Sequence, residues 1–213
     1  MLKTQPFETH TAEYDEWFDN NKYAFDSEVE ALREAFPIGN LHGIEVGLGT
    51  GRFSVALGIK EGVEPAFEMR EIALKRGIEV MDAVAEDLPY KDLHFDFVLM
   101  AASISYFNNL QEAFREANRV LKPGGSLIIG FIDKDSIIGK SYEERKEKKE
   151  TIFYKQAIFY PVEKIISALK QAGFHKMEFS QTLFKPLEKI QEFEASKPGH
   201  GEGSFVVIKT LKK

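Results

Sequence analysis

The residues of this chain whose types and spacing could do chemistry are three alternating glycines, Gly47, Gly49 and Gly51. They follow a short apolar run at 41–46, which predicts a buried strand, and a helical pattern of apolar residues begins at Phe53. Strand, glycine loop and helix form the opening unit of a nucleotide-binding α/β domain. Glycine tolerates positive φ and lets a ligand approach the backbone, while the free N–H groups at the helix start suit polar or anionic ligand atoms.

The spacing of the glycines separates the candidate ligands. A dinucleotide fingerprint is G-x-G-x-x-G, whereas this loop is G-x-G-x-G and Arg52 stands where the third glycine would be. Glu45 lies at the end of the preceding strand, and its carboxylate would repel a pyrophosphate but attract an ammonium or sulfonium group. The loop therefore favours a cofactor that carries adenosine at one end and a cationic amino-acid portion at the other. S-adenosylmethionine fits this description.

The segment Glu-Val-Gly-Leu-Gly-Thr-Gly at 45–51 resembles the first motif of the class I S-adenosylmethionine-dependent methyltransferases, in particular their small-molecule, type 11-like members. In that superfamily the loop surrounds the methionine end of the cofactor. The resemblance covers residues 40–131 well and 160–211 loosely. On the residues alone, a plain tight turn or a site for another nucleotide stays open. The resemblance implies cofactor contacts for Glu45, Gly47, Leu48, Gly49 and Gly51.

A second acidic residue follows the next predicted strand. Glu64 lies 13 residues beyond Gly51, at a position where a carboxylate can accept both ribose hydroxyl hydrogens. The alternative is a solvated glutamate in a turn. Glu64-Pro65, with the helix that follows, resembles the second motif of the superfamily, and the resemblance implies that Glu64 and Pro65 contact the cofactor.

The segment Ala-Val-Ala-Glu-Asp-Leu-Pro-Tyr at 83–90 resembles the family's Gly-Asp-Ala-Glu-x-Leu-Pro-Phe segment, which contacts the adenine. The resemblance implies adenine contacts for Ala85 and Glu86. Val84 departs from the pattern, because it stands where the family usually has an Asp. Asp82 is the nearby acid that could substitute.

Ligands of a doubly wound sheet bind beyond the carboxyl ends of its strands. Residues 101–106 follow the fourth predicted strand, so we expect Ala101 near the cofactor and Ser105 and Tyr106 near the substrate. Tyr14 belongs to a Tyr-Asp-Glu-Trp-Phe segment that resembles the Tyr-Asp-x-Trp-Phe segment before the first strand in this superfamily. It is interpreted either as core packing or as part of a lid that contacts the substrate. No catalytic residue is assigned; the geometric candidates for a general base are Tyr106, Glu86 and His10.

The composition excludes several functional classes. The chain has 213 residues, a net charge of −6 and no cysteine. The acidic balance argues against a nucleic-acid partner, and the lack of cysteine removes disulfides, thiolate metal sites and cysteine nucleophiles. No two histidines have metal-ligand spacing, so no metal is predicted. With no leader-like apolar region and no apolar run of about 18 residues, we expect a cytoplasmic protein without a membrane partner; the sequence leaves the oligomeric state undefined.

The resemblance implies an α/β fold: a doubly wound, seven-stranded, mostly parallel sheet with one antiparallel strand, the Rossmann-like methyltransferase fold. We expect a single methyltransferase domain over 1–213. Within it we expect an N-terminal helical lid at 1–39, a cofactor-binding core at 40–131, a substrate cap at 132–160 and a C-terminal helix and strand pair at 161–213. Ser27 is predicted to cap a lid helix, with Glu30 as its reciprocal partner.

The sequence thus predicts an enzyme that transfers a methyl group from S-adenosylmethionine to a nucleophilic nitrogen or oxygen of a small-molecule substrate. One alternative is a regulatory module that binds the same cofactor without catalysis. Another is an NAD-type oxidoreductase, which Arg52 disfavours.

Overall fold

One eight-stranded sheet forms the centre of the protein in this computed structural model, which describes residues 4–39 and 41–213. The strands are β1 (Gly43–Val46), β2 (Glu61–Val63), β3 (Glu79–Met81), β4 (Phe95–Ala101), β5 (Leu121–Ile132), β6 (Phe174–Thr182), β7 (Lys197–Pro198) and β8 (Phe205–Lys212). Their order across the sheet is β3-β2-β1-β4-β5-β8-β6-β7. The first five are parallel to one another, and β8 runs antiparallel between β5 and β6. The predicted seven-stranded, mostly parallel sheet is confirmed, and the two-residue β7 is added at its edge.

Helices cover the sheet. They are α1 (Gln5–Thr9), α2 (Thr11–Asn20), α3 (Lys22–Ala35), α4 (Arg52–Leu57), α5 (Phe67–Lys75), α6 (Leu110–Val120), α7 (Ile137–Glu147) and α8 (Val162–Gln171). The side chain of Asn109 caps α6 by accepting hydrogen bonds from the N–H groups of Gln111 and Glu112. Helix α8 begins directly after Pro161, as predicted. All four residues of β1 are buried, as expected for a central parallel strand covered on both faces.

The predicted cap at Ser27 is wrong, because Ser27 lies inside α3 rather than at its start. Its hydroxyl donates to the Tyr23 carbonyl at 2.7 Å and accepts the Glu194 N–H at 2.9 Å. Helix α3 starts at Lys22, so Ala24 joins its buried face and the buried serine serves a tertiary contact. Glu28 also lies on the buried face of this helix.

The order of the strands reverses at β1 and β4. The chain runs outward from β1 through β2 to β3, and then returns to the other side of β1 with β4 and β5. In open α/β sheets, ligands bind at such a switch point, outside the carboxyl ends of the strands. The topology therefore brings the loops after β1 and β4 together at one edge.

Candidate functional site

A cavity of about 340 Å³ lies at this edge. Loops that follow the five parallel strands contribute to its lining, and so do helices α2, α3 and α7. The lining residues from the strand ends are Gly47 and Gly49 after β1, Glu64 and Pro65 after β2, 83–86 after β3, 101–103 after β4, and Phe131 and Ile132 of β5. The cavity therefore lies at the carboxyl ends of the strands, the edge at which the sequence places a ligand site.

Two glycines form a cradle on the cavity wall. Gly47 has φ of +71° and Gly49 has φ of +57°, a region that side chains with a Cβ rarely adopt. A Cβ at Gly47 would lie 2.8 Å from the Cβ of Ser103, and one at Gly49 would lie 3.1 Å from the hydroxyl oxygen of Tyr14. Both the backbone conformation and the space therefore require glycine.

The other two residues of this loop that the motif singles out lie behind the cradle and do not line the cavity. Leu48 is buried in a small cluster with Ala73 and Ile78. Gly51 has φ of +82°, and a Cβ there would lie 2.3 Å from the Cδ1 of Ile78. Leu48 and Gly51 thus fix the loop against α5 and the turn after it.

Glu64 faces the cavity with both carboxylate oxygens held by backbone donors. Its Oε2 accepts the Gly49 N–H at 2.9 Å, and its Oε1 accepts the Ala66 N–H at 2.9 Å. Burial raises the pKa of Glu64 to about 7, against the lowering effect of these hydrogen bonds. The carboxyl group is therefore fixed in orientation, and each oxygen keeps a lone pair for a ligand.

Glu45 lies deeper, and it is not among the lining residues. It is 1% exposed, and one of its oxygens accepts a hydrogen bond from the Ser54 hydroxyl. Its Oε1 has no hydrogen-bond partner in the described part of the chain. Burial raises the pKa of Glu45 to about 8, and the nearby charge of Glu64 adds to the shift.

The segment predicted to contact adenine forms one side of the cavity. Val84, Ala85 and Glu86 all line it. Glu86 is held by the Asn109 N–H, which donates to its Oε1 at 2.8 Å. Asp82, the alternative acid, does not line the cavity, and its side chain forms an ion pair with Arg70 at 2.9 Å.

The segment at the end of β4 and after it brings Ala101, Ser105 and Tyr106 to the cavity. The Ser103 hydroxyl donates to the Val46 carbonyl at 2.9 Å and so joins the ends of β1 and β4. Burial raises the pKa of Tyr106 well above its ordinary value, so this phenol keeps its proton at neutral pH. His10 does not line the cavity, and its Nδ1 contacts the Glu13 carboxylate at 2.5 Å.

Tyr14 of α2 lines the cavity. Its neighbour Asp15 connects α2 to the glycine loop. The Asp15 carboxylate accepts hydrogen bonds from Arg52 at 2.6 Å, from Arg76 at 2.7 Å and from the Thr50 hydroxyl at 2.6 Å. Despite its burial, these three donors lower the pKa of Asp15. The arginine that replaces the third glycine of the dinucleotide fingerprint thus attaches the N-terminal helices to the loop.

The remaining part of the cavity wall is aromatic, and it contains one functional group that the sequence analysis missed. The aromatic residues from α2, α7 and the 151–160 segment are Trp17, Phe18, Tyr142, Phe153, Tyr154 and Phe159. Glu28 of α3 lines the same region, is 5% exposed, and makes no hydrogen bond or ion pair with the residues that the structure describes. Burial raises its pKa to about 8. The available signal was a glutamate at helical spacing within an apolar face, four residues after Ala24 and four before Leu32.

Two further properties concern the whole described region, residues 4–39 and 41–213. No helix in it has both the length and the apolar composition needed to cross a bilayer. No group of three or more His, Cys, Asp or Glu side chains in it is arranged to hold a metal ion.

Comparison with known proteins identifies the family. Residues 44–129 match a protein family described as a methyltransferase domain. The chain is 46% identical over 206 residues to an uncharacterized protein of Methanocaldococcus jannaschii, covering 97% of this chain and 98% of that protein. It is 30% identical over 166 residues to demethylmenaquinone methyltransferase of Chlorobaculum parvum, covering 67% of this chain and 69% of that enzyme.

A solved structure from Thermotoga maritima matches nearly the whole chain. That protein is described as an S-adenosylmethionine-dependent methyltransferase and a possible histamine N-methyltransferase. It is 44% identical, covers 99% of this chain and 100% of its own, and superposes with a TM-score of 0.94. The fold, the switch-point cavity and these relatives agree: the chain belongs to the class I S-adenosylmethionine-dependent methyltransferase superfamily.

Proposed function

We propose that this methyltransferase acts on a nitrogen or oxygen atom of a small molecule that enters the aromatic part of the cavity. The observation that carries the proposal is the continuity of one cavity, which joins the glycine cradle of Gly47 and Gly49 to the aromatic wall. A cofactor and a substrate held at its two ends would share one enclosed space.

The residues at the cradle end fit S-adenosylmethionine. Backbone atoms at Gly47 and Gly49 would take the methionine portion, because a Cβ at either position would fill the space. The Glu64 carboxylate would accept the ribose hydroxyl hydrogens, with Pro65 beside it. Ala85 and Glu86 would contact the adenine, and Ala101 would lie near the methyl group. When bound, the cofactor supplies an electrophilic methyl group on a sulfonium centre.

The residues behind the cradle act in support. Glu45 is buried directly before the loop, and Leu48 and Gly51 are the buried part of the loop itself; we infer that they hold its shape. The free oxygen of Glu45 points to a further polar partner, which the ammonium group of the cofactor would provide directly or through water. Methyl transfer would remove the positive charge of the sulfonium. The carboxylates of Glu45 and Glu64 would therefore bind and orient the cofactor rather than lower the barrier to transfer.

Tyr14, Ser105 and Tyr106 would position the substrate, with the N-terminal helices as a lid and residues 132–160 as a cap. The two segments supply the aromatic groups that would exclude water and hold the nucleophile in line. Tyr106 would donate a hydrogen bond, since its raised pKa keeps it protonated. A general base is needed only for a nucleophile that arrives protonated and weakly acidic, and we assign none.

The description of the Thermotoga maritima relative as a possible histamine N-methyltransferase supports a nitrogen acceptor among these alternatives. The acidic cavity agrees with it, because Glu13, Glu28, Glu64 and Glu86 line the cavity and no Lys or Arg is among its described lining residues. The test is methyl transfer from labelled S-adenosylmethionine to a panel of amines, phenols and carboxylic acids.

We expect label in at least one acceptor with the wild-type protein and none with Gly47→Asp, whose side chain would collide with Ser103 and occupy the cradle. Binding of S-adenosylhomocysteine without transfer to any acceptor would support the regulatory alternative instead. Absence of cofactor binding by the wild-type protein would contradict both.

A further inference from the structure

We propose that Glu28 is the cation-binding residue of the substrate site, and that the substrate is an amine which carries its positive charge into the aromatic chamber. The chamber comprises Glu28, Trp17, Tyr142, Tyr154 and Phe159. This inference rests on the function proposed above and specifies the substrate class of the same cavity.

The first argument is that the carboxyl group of Glu28 is buried without a hydrogen-bond donor or cation beside it among the described residues. The side chain is 5% exposed, and no donor or cation of the described residues contacts its carboxyl group. A buried carboxylate without a partner is costly, whereas the same group paired with a cation is stabilised. A cationic ligand would supply the missing partner.

The second argument is the aromatic surround. The rings of Tyr142 and Tyr154 have centroids 4.2 Å apart, and Phe159 lies 5.7 Å from the first and 5.6 Å from the second. Aromatic faces attract ammonium groups, and a desolvated site strengthens the attraction. A cavity that Glu28 and these three rings line together is an environment suited to an organic cation with an apolar body.

The third argument is the position of Glu28 relative to the cradle. The Tyr14 hydroxyl oxygen lies at the cradle, 3.1 Å from the position that a Cβ at Gly49 would take. Burial is the main cause of the raised pKa of Tyr14, and the nearby charges of Glu64, Glu45, Asp15 and Glu28 add to it. Glu28 also contributes to the raised pKa of Tyr142 and of Tyr154, which line the aromatic part of the cavity. A cation at Glu28 would consequently be on the substrate side of the cavity.

The sign of the remaining charges agrees with this assignment. Apart from Glu28, the described lining of the cavity includes three glutamates, Glu13, Glu64 and Glu86, and no Lys or Arg. A cavity with one sign of charge and low-dielectric walls concentrates ligands of the opposite sign. A carboxylate-bearing substrate would be repelled from the same space.

The test compares matched ligands that differ only in charge. Tyramine, tryptamine, phenethylamine and histamine are each paired with the corresponding alcohol, and affinities are measured by calorimetry on protein saturated with S-adenosylhomocysteine. We expect at least one amine to bind wild-type protein about 30-fold or more tightly than its alcohol, the effect of one buried charge pair. Glu28→Gln, which keeps the shape and removes the charge, should abolish this preference while the alcohol binds as before.

Glu30→Gln is the matched control, because it removes one carboxylate from the same helix at a site where Glu30 pairs with Arg33 on the surface. It should leave the preference for the amine intact. The proposal would be overturned by the absence of a preference in all four pairs, or by a preference that survives in Glu28→Gln.

Titration of S-adenosylhomocysteine alone separates this inference from the function on which it rests. We expect Glu28→Gln to bind S-adenosylhomocysteine as tightly as the wild type does, which also shows that the variant is folded. A loss confined to that titration would reassign Glu28 to the cofactor. Failure of the wild type to bind S-adenosylhomocysteine would instead contradict the proposed function.

Discussion

Three buried carboxyl groups, those of Glu28, Glu45 and Glu64, lie at the same end of the sheet, and their surroundings differ. Glu64 accepts two backbone N–H groups, Glu45 accepts one hydroxyl, and Glu28 has no partner among the described residues. Burial raises the pKa of each. Such perturbed groups in a cleft are typical of functional sites, since stability alone would favour apolar residues there.

Replacement of Glu64 by Gln tests its role at the ribose. A carboxylate can accept both the Gly49 and the Ala66 N–H, but the NH2 group of Gln would oppose one of these donors. We expect the affinity for S-adenosylhomocysteine to fall about 10- to 100-fold, the range for a hydrogen bond to a charged group. Glu79→Gln, at an exposed position of β3, is the control and should bind normally. Equal affinities of the two variants would remove Glu64 from the cofactor site.

The sequence predicted Glu64 and missed Glu28 for a physical reason. Glu64 follows a strand and a glycine loop, and local order alone places it at the carboxyl edge of the sheet. Glu28 reaches the cavity only because α3 packs over it from outside the strand-loop-helix unit, a tertiary arrangement that residue spacing does not encode. Its helical periodicity with Ala24 and Leu32 predicts burial but not what it faces.

At the scale of elements, the contact that matters most for the site is the one between α2 and the glycine loop. The Asp15 carboxylate accepts hydrogen bonds from Arg52, Arg76 and Thr50. This one side chain therefore connects the N-terminal helices, the glycine loop and the end of α5. In the sequence, Arg52 was evidence only against a dinucleotide cofactor. Its ion pair with Asp15 was not predicted. Ion pairs across about 35 residues of sequence cannot be derived from local patterns.

Asp15→Asn should loosen this attachment. The side chain is 17% exposed, and its loss would leave two arginines without their carboxylate, so we expect about 2 kcal/mol less stability toward urea. Limited proteolysis should cut within residues 4–39 faster than in the wild type. Asp19→Asn is the control, because Asp19 is 69% exposed and, among the described residues, pairs only with Arg52; an ion pair at the surface contributes little to stability. Equal losses from both substitutions would contradict a special role for Asp15.

The boundaries of elements were the weaker part of the sequence prediction. The strands followed from apolar runs and turns and the sheet from the family resemblance, whereas the start of α3 was misplaced because Ser27 resembles a cap. The helix starts at Lys22 and buries Ala24. The Ser27 hydroxyl, which is distant from Glu194 in sequence, accepts a hydrogen bond from the Glu194 N–H. A contact of this range overrides a local capping preference.

At the scale of the whole molecule, the buried acids predict how stability depends on pH. The folded-state pKa is about 8 for Glu28 and Glu45 and about 7 for Glu64, above their ordinary value of 4.5. Between these values the folded protein holds protons that the unfolded chain has lost, so the free energy of unfolding falls as pH rises. The slope is up to about 1.4 kcal/mol per pH unit for each group.

Urea unfolding of the ligand-free protein between pH 5 and pH 8, about the window where these groups titrate, should therefore show decreasing stability. Glu28→Gln should flatten part of the slope, and Glu30→Gln should leave it unchanged. The lowered pKa of Asp15 acts in more acidic solution, where its protonation destabilises the protein. Stability that stays constant or rises across the window would contradict the burial of these carboxyl groups without a cationic partner.

The central claim is that the glycine cradle holds the cofactor, and titration with S-adenosylhomocysteine tests it through two matched variants. Gly49→Ala and Gly58→Ala both place alanine at positive φ, +57° and +78°, which costs about 1–2 kcal/mol of stability in each. A Cβ at Gly49 enters the cavity wall 3.1 Å from the Tyr14 hydroxyl, whereas a Cβ at Gly58 has no neighbour within 4 Å.

We expect Gly58→Ala to bind S-adenosylhomocysteine as the wild type does. Gly49→Ala should bind it about tenfold or more weakly, since overpacking at the contact costs about 1–3 kcal/mol. Equal, undiminished affinity of the two variants would show that the ligand binds elsewhere and that the cradle is only a turn.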